Sequence, residues 1–160
     1  MTRVWRLARA PHVAFDGEGA RQWGGRWGWP GVPLVYASAT LSLAALEILV
    51  HADVEHVQGE WMATPAEIPD TLRVRDVSAR ELPPDWRSVP APAAVTDLGT
   101  AWARARETAV LAVPSAIIPH ERNFVVNPLH PAFRTVRVGT PRPFSFDPRL
   151  WTRRRGTRDQ

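Results

Sequence analysis

Pro33-Leu34-Val35-Tyr36-Ala37-Ser38-Ala39-Thr40-Leu41-Ser42-Leu43-Ala44-Ala45-Leu46-Glu47-Ile48-Leu49-Val50-His51 holds the plainest structural signal in the chain. Its first part, Pro33 to Ala37, joins β-branched and aromatic residues behind a proline breaker, and predicts a strand. The second part predicts a helix. Leu43, Leu46, Leu49 and Val50 recur at three-to-four spacing, Ser38 or Thr40 can cap the start, and His51 near the end suits the helix dipole. Glu47 lies one turn from both Leu43 and Val50 and so shares part of the apolar stripe. A carboxylate there is costly to bury without a partner, so Glu47 either edges the stripe or faces a cleft.

Working outward, Trp5-Arg6-Leu7 reads as the start of a short strand. Asp16-Gly17-Glu18-Gly19-Ala20 and Gly24-Gly25-Arg26-Trp27-Gly28 read as turn-rich, with Pro30-Gly31 a further turn. Residues 57–77 predict strands broken by a loop at Thr64-Pro65. The four prolines between Leu82 and Pro92 mark a surface loop. Asp97 to Arg106, with Leu98 and Trp102 four apart, predicts a second helix. Val110 to Val113 predicts a short buried strand, Ala116 to Pro119 and Phe124 to Asn127 extended pieces, and His130 a loop between Pro128 and Pro131. Val136 to Val138 and Phe144 to Phe146 predict terminal strands. With no repeat or low-complexity segment, the expectation is one compact α+β domain, a mixed or antiparallel sheet with flanking helices. It is expected to occupy residues 1–152, with an arginine-rich tail over 153–160.

The chain has 160 residues, 44% hydrophobic and 22% charged, enough for one domain with a sizeable core. No apolar run approaches the ~20 residues needed to cross a bilayer. Nothing at the N-terminus has a signal-peptide core, so a cytoplasmic location without membrane contact is expected. The absence of cysteine excludes disulfides and thiolate metal sites. All 20 basic residues are arginine and the net charge is +4. Arginine grips phosphate through a planar fork of donors, and the positive balance suits an anionic ligand or partner. Part of that charge is the cluster Arg149, Arg153, Arg154, Arg155 and Arg158, read as a solvated tail.

Generic motifs are lacking. The glycines at 17, 19, 24 and 25 have no strand–turn–helix context for a dinucleotide fingerprint. A phosphate loop cannot exist without its lysine. The five histidines show no metal-binding spacing, so no metal site is expected. Ser115 lacks a nucleophile elbow and reads as a strand-end serine.

Between Gly24 and Glu47 a different combination stands out. Arg26 lies on a glycine-flanked loop, Tyr36 ends a strand, and Glu47 sits on the next helix. Glycine permits close approach to a ligand, arginine pairs with a diphosphate, and tyrosine offers a flat face and a hydroxyl. A carboxylate stabilises positive charge on a sugar carbon and binds ribose hydroxyls. These are the groups that cleavage of an N-glycosidic bond in a dinucleotide requires. Each also has an ordinary reading: Arg26 packed on Trp27, Tyr36 in the core, Glu47 on a helix surface.

The segments Gly24-Gly25-Arg26-Trp27, Val35-Tyr36-Ala37-Ser38 and Ala44-Ala45-Leu46-Glu47 resemble the RES domain, named for its arginine, glutamate and serine. Leu98-Gly99-Thr100-Ala101-Trp102, Val113-Pro114-Ser115-Ala116, Asn123 to Pro131 and Phe144 to Leu150 continue the likeness in order. Where many members have asparagine after the arginine–tryptophan run, this chain has Gly28-Trp29. The resemblance implies an ADP-ribosyltransferase-like fold of the diphtheria-toxin kind and a toxin of a type II toxin–antitoxin pair that depletes NAD⁺ by hydrolysis or phosphorolysis. It implies Arg26, Tyr36 and Glu47 as the catalytic set, with Arg6, Gly25, Ser115 and Asn127 binding substrate. Arg26, with Arg6, is expected to hold phosphate, Tyr36 to orient the nicotinamide end, and Glu47 to engage the ribose. NAD⁺ is then a substrate, used with water or inorganic phosphate and without a permanently bound cofactor. The implied partner is an antitoxin with an Xre-type helix-turn-helix domain that blocks the active site, in a complex where the toxin can form a homodimer and meets nucleic acid only through that antitoxin. Two rivals remain open: a mono-ADP-ribosyltransferase with a protein target, and, from the charge and arginine tail, a nucleic-acid-binding or ribonuclease toxin.

Overall fold

The computed structural model describes residues 1–151; the expected boundary at 152 and the tail over 153–160 lie outside them. The spine is a pair of long strands, β1 (Thr2–Arg9) and β3 (Trp61–Ile68), antiparallel over eight residue pairs from Thr2↔Ile68 to Arg9↔Trp61. Around them an eight-stranded sheet runs in the order β4-β5-β6-β2-β1-β3-β7, with β8 also on β3. The remaining strands are β2 (Val35–Ser38), β4 (Val74–Asp76), β5 (Val110–Pro114), β6 (Arg122–Val126), β7 (Arg137–Val138) and β8 (Arg142–Phe144). The sheet is mixed: β4 and β5 are parallel, and the other ladders are antiparallel. With four α-helices on it, α1 (Glu18–Trp23), α2 (Leu41–Leu49), α3 (Val54–Val57) and α4 (Ala93–Ala105), the expected α+β domain is what forms.

Apolar packing divides into three clusters. Val4, Val35, Val110, Phe124 and Val126 fill one. Leu111, Val113 and Val125 pack with Trp27, Leu34, Trp86, Val95 and Trp102 in the second, beneath α4. Leu7, Ala44, Trp61, Ala63 and Phe146 form the third, beneath α2. α4 lies so close to the glycine-rich loop that a Cβ on Gly99 would stand 1.9 Å from the carbonyl oxygen of Trp27. Trp29 fixes the same loop, its backbone N–H donating to Thr100 Oγ1 at 3.0 Å and its indole N–H to Asp97 at 2.6 Å.

Five local expectations are corrected. No loop interrupts β3 at Thr64-Pro65. Pro65 accepts from Gly139 N–H, so the edge where its own N–H is missing faces the gap between β8, whose Arg142 pairs with Ala63, and β7, whose Val138 pairs with Ala66. A proline is tolerated where no ladder bond is required. Residues 116–118 bend and lead into a turn over Ile118–Glu121, closed by Glu121 N–H on the Ile118 carbonyl. α1 occupies part of the turn-rich stretch; it buries no residue, so it has no apolar periodicity to read. Finally, the second helix begins four residues early, at Ala93, and α2 presents Leu43, Ala44, Glu47 and Ile48 inward. Leu46, expected on the stripe, is 38% exposed.

The cavity described below opens where two central strands separate. β2 pairs with β6 at four residues but with β1 at one, Trp5↔Ser38. Beyond that pair the two central strands part.

Candidate active site

The gap between β1 and β2 is a cavity of about 190 Å³, lined by Trp5, Arg6 and Leu7 from β1, by Tyr36, Ala37 and Ser38 from β2, and by Ala44, Glu47, Ile48 and Asn123. Three residues singled out in the sequence, Arg6, Tyr36 and Glu47, therefore share one wall space.

Glu47 is brought there by α2, which Thr40 caps by accepting from Leu43 N–H at 3.1 Å. Its Oε1 accepts from Ser115 Oγ at 2.9 Å and from Asn123 Nδ2. Ser115 is fully buried. Its hydroxyl oxygen accepts from the backbone N–H groups of Ile117 and Ile118, each at 3.1 Å. With its lone pairs so engaged, the single hydroxyl proton is directed at Glu47. Asn123 is held in turn: its Oδ1 accepts from Ser38 Oγ at 2.7 Å. Both bonds to the carboxylate end on Oε1, which leaves Oε2 for the cavity.

Tyr36 lies deep beside Gly25. A Cβ on Gly25 would meet the phenol oxygen at 2.6 Å, so only glycine permits this approach. The phenol accepts from Trp27 N–H at 3.2 Å. Its pKa is pushed up to about 12, chiefly by burial, with the Trp27 N–H and the charge of Arg26 opposing; at neutral pH it is an un-ionised phenol.

The two arginines differ. Arg6 lines the cavity, and one terminal nitrogen donates to the His12 carbonyl at 3.2 Å. Its Nε is buried without a partner. Burial lowers its pKa, while Asp16 raises it, and an arginine remains charged through such shifts. Arg26 does not line the cavity. It donates to the carbonyls of Trp86 and Ser88 at 2.7 and 3.1 Å. Burial lowers its pKa, and the charge of Glu47 is the next influence, which raises it.

Asn127 is placed elsewhere. It is 1% exposed, with Nδ2 on the Ala103 carbonyl at 2.9 Å and Oδ1 accepting from Leu129 N–H at 3.0 Å. Both polar ends are taken up in closing the loop after β6. The asparagine on the cavity is Asn123, four residues or about 13 Å earlier along the strand. Asn123 falls in the Asn123–Pro131 stretch of the family likeness but is not among the residues the sequence assigns to the site; its register opposite Ser38 is the distinguishing signal, and pairing is not readable from one strand alone. Ser38, a candidate cap and part of the Val35–Ser38 likeness, is likewise not among the residues the sequence assigns to the site.

Among the described residues no three His, Asp or Glu side chains gather as metal ligands would, and no helix is long and apolar enough to cross a membrane.

A family model described as the RES domain matches residues 3–147. A protein named Toxin Res from Yersinia enterocolitica is 38% identical over 150 residues, covering 92% of this chain and 98% of its own. A protein of a Sphingobium species named Prs ADP-ribosylating toxin is 34% identical, covering 93% and 96% respectively. A solved structure, the crystal structure of the M. tuberculosis MbcT-MbcA toxin-antitoxin complex, holds a chain similar to this one with TM-score 0.75 over 89% of this chain and 84% of that chain. At 18% identity that likeness concerns the fold.

Proposed function

This chain belongs to the RES-domain family, and we propose on that footing that it is the toxin of a toxin–antitoxin pair and consumes NAD⁺ by breaking the nicotinamide–ribose bond. The observation that carries the reading is the carboxylate of Glu47, held on Oε1 by Ser115 and Asn123 at the wall of a cavity that also holds Arg6 and Tyr36. A carboxylate fixed in advance stabilises a charge that develops only in the transition state.

The chemistry proceeds as follows. The bond between the ribose anomeric carbon and the nicotinamide nitrogen breaks, and its electron pair goes to nitrogen. The cationic ring becomes neutral, so it needs little acid assistance. Glu47 Oε2 takes a ribose hydroxyl and stabilises the oxocarbenium-like sugar. The un-ionised Tyr36 orients the nicotinamide end. Arg6, with its unpartnered Nε, receives a phosphate oxygen, while Arg26 braces residues 86–88 and adds positive field near Glu47. Water or inorganic phosphate then attacks the anomeric carbon and releases a proton to solvent. NAD⁺ is consumed, so no resident cofactor enters. The likeness to toxin–antitoxin members supports a cognate antitoxin; in this proposal that antitoxin is of the Xre helix-turn-helix type and closes over the cavity in the cytoplasm.

A second reading keeps the pocket and changes the acceptor. The name of the Sphingobium relative favours transfer of ADP-ribose to a protein. Chromatography of labelled NAD⁺ after incubation with and without inorganic phosphate separates the outcomes. The primary reading expects free ADP-ribose, or its 1″-phosphate when phosphate is present. Label on protein with little free product would replace it by the second, and RNA cleavage with intact NAD⁺ would overturn both.

A further inference from the structure

Specific small-molecule sites usually occupy about 300–1,000 Å³. The cavity holding Glu47, at about 190 Å³, is too small for both halves of a dinucleotide. A second crevice of about 260 Å³ adjoins it, and Arg6 lines both. Taken together the two fall within the usual range. The crevice's other walls include His12, Asp16, Glu18, Gln22 and Trp23.

Trp23 is the most exposed large apolar side chain among the described residues, 83% open to solvent. An indole left that bare has no packing duty in this chain, and it offers a flat face to a planar ring. Gln22 donates its amide to Glu18 at 3.0 Å, which leaves its carbonyl oxygen as an acceptor. Glu18 is already bound by Arg21 at 2.6 Å. Gly19, also on the crevice wall, has nothing within 4 Å of where its Cβ would stand, so among the described residues no atom packs over that position.

Resting on the glycosidic reading of the main cavity, we propose that the crevice between Arg6 and Trp23 is a purine-nucleoside subsite, so that the dinucleotide lies across Arg6. Trp23 stacks on the purine, the Gln22 carbonyl accepts from its exocyclic amine, and Arg6 at the junction takes the diphosphate. The nicotinamide riboside end then reaches Tyr36 and Glu47 on the other side. An indole stack tolerates any base, so the amide contact is what favours adenine.

The test compares cleavage of NAD⁺ with cleavage of nicotinamide mononucleotide, which lacks the adenosine half. Wild type, Trp23→Ala and Trp23→Phe are assayed as full chains. The ratio of kcat/KM for NAD⁺ to kcat/KM for the mononucleotide should fall about tenfold in Trp23→Ala and recover in Trp23→Phe. An unchanged ratio overturns the subsite. Calorimetric titration with AMP gives a readout that needs no catalysis: Trp23→Ala should bind AMP about tenfold more weakly than wild type, and equal affinities overturn the proposal. A wild type that binds AMP through Trp23 yet leaves NAD⁺ intact would sink the glycosidic reading while upholding the subsite.

Discussion

Asn123 near the start of β6 and Asn127 just past its end have opposite fates. Asn123 and Asn127 lie four residues apart, both largely withdrawn from water. Asn127 makes both its side-chain bonds to backbone, on Ala103 and Leu129. Asn123 makes both of its to side chains, Glu47 and Ser38, at the edge of a cavity. Backbone partners close a loop; side-chain partners aim a carboxylate. The residue type is the same, and the difference lies in what faces each end of the strand. Beside Asn127 is the C-terminal part of α4. Beside Asn123 is the place where β1 and β2 separate.

The strongest way to break this contrast is Asn123→Ala. It frees one side of the Glu47 carboxylate and should lower kcat about 100-fold, with the fold kept by circular dichroism. Retained activity would reduce Asn123 to a bystander. Ser115→Ala removes the other donor and also leaves the Ile117 and Ile118 N–H groups without an acceptor. It should lower kcat about tenfold and stability by about 2 kcal/mol, read by denaturant unfolding. Asn127→Ala should do the reverse: a Tm lower by about 5 °C and kcat per folded molecule unchanged. Equal losses of activity at both asparagines would erase the distinction.

The smallest effect concerns Tyr36. It is the sole tyrosine, so the phenolate absorbance titrates one group. In the folded protein it should ionise near pH 12, and in the unfolded chain near 10. A folded-state pKa raised above the unfolded value contributes stability that is fully present below about pH 10 and is lost as pH rises towards 12. A folded-state titration near 10 would place the phenol in water and not beside Gly25.

The β2–α2 segment was the most legible part of the sequence. Its strand and helix follow from residue type and period, and the cap at Thr40 is local chemistry. What period alone left open was the side on which Glu47 falls. The expected stripe through Leu46 and Val50 is displaced towards Ala44 and Ile48, because α2 packs over Leu7, Trp61 and Ala63, partners that lie far away in sequence. For the same reason Pro65 was read as a break. Its strand survives because the neighbouring edge is shared by two short strands with a gap between them. α1 was hidden by having no buried face, and Asn123 by a pairing register. Arg6 and Tyr36 were placed by sequence on the strands that now line the cavity. Arg26 was placed on the correct loop, but its donors to the Trp86 and Ser88 carbonyls depend on a loop about 60 residues away in sequence.

The role of the Glu47 carboxylate is decided by chromatography of NAD⁺ incubated with wild type and with Glu47→Gln. The substitution is nearly isosteric and keeps an oxygen for Ser115, so the fold should stay intact. Wild type should release nicotinamide and an ADP-ribose product, and Glu47→Gln should leave NAD⁺ intact. NAD⁺ untouched by wild type, or consumed equally by both proteins, would contradict that role.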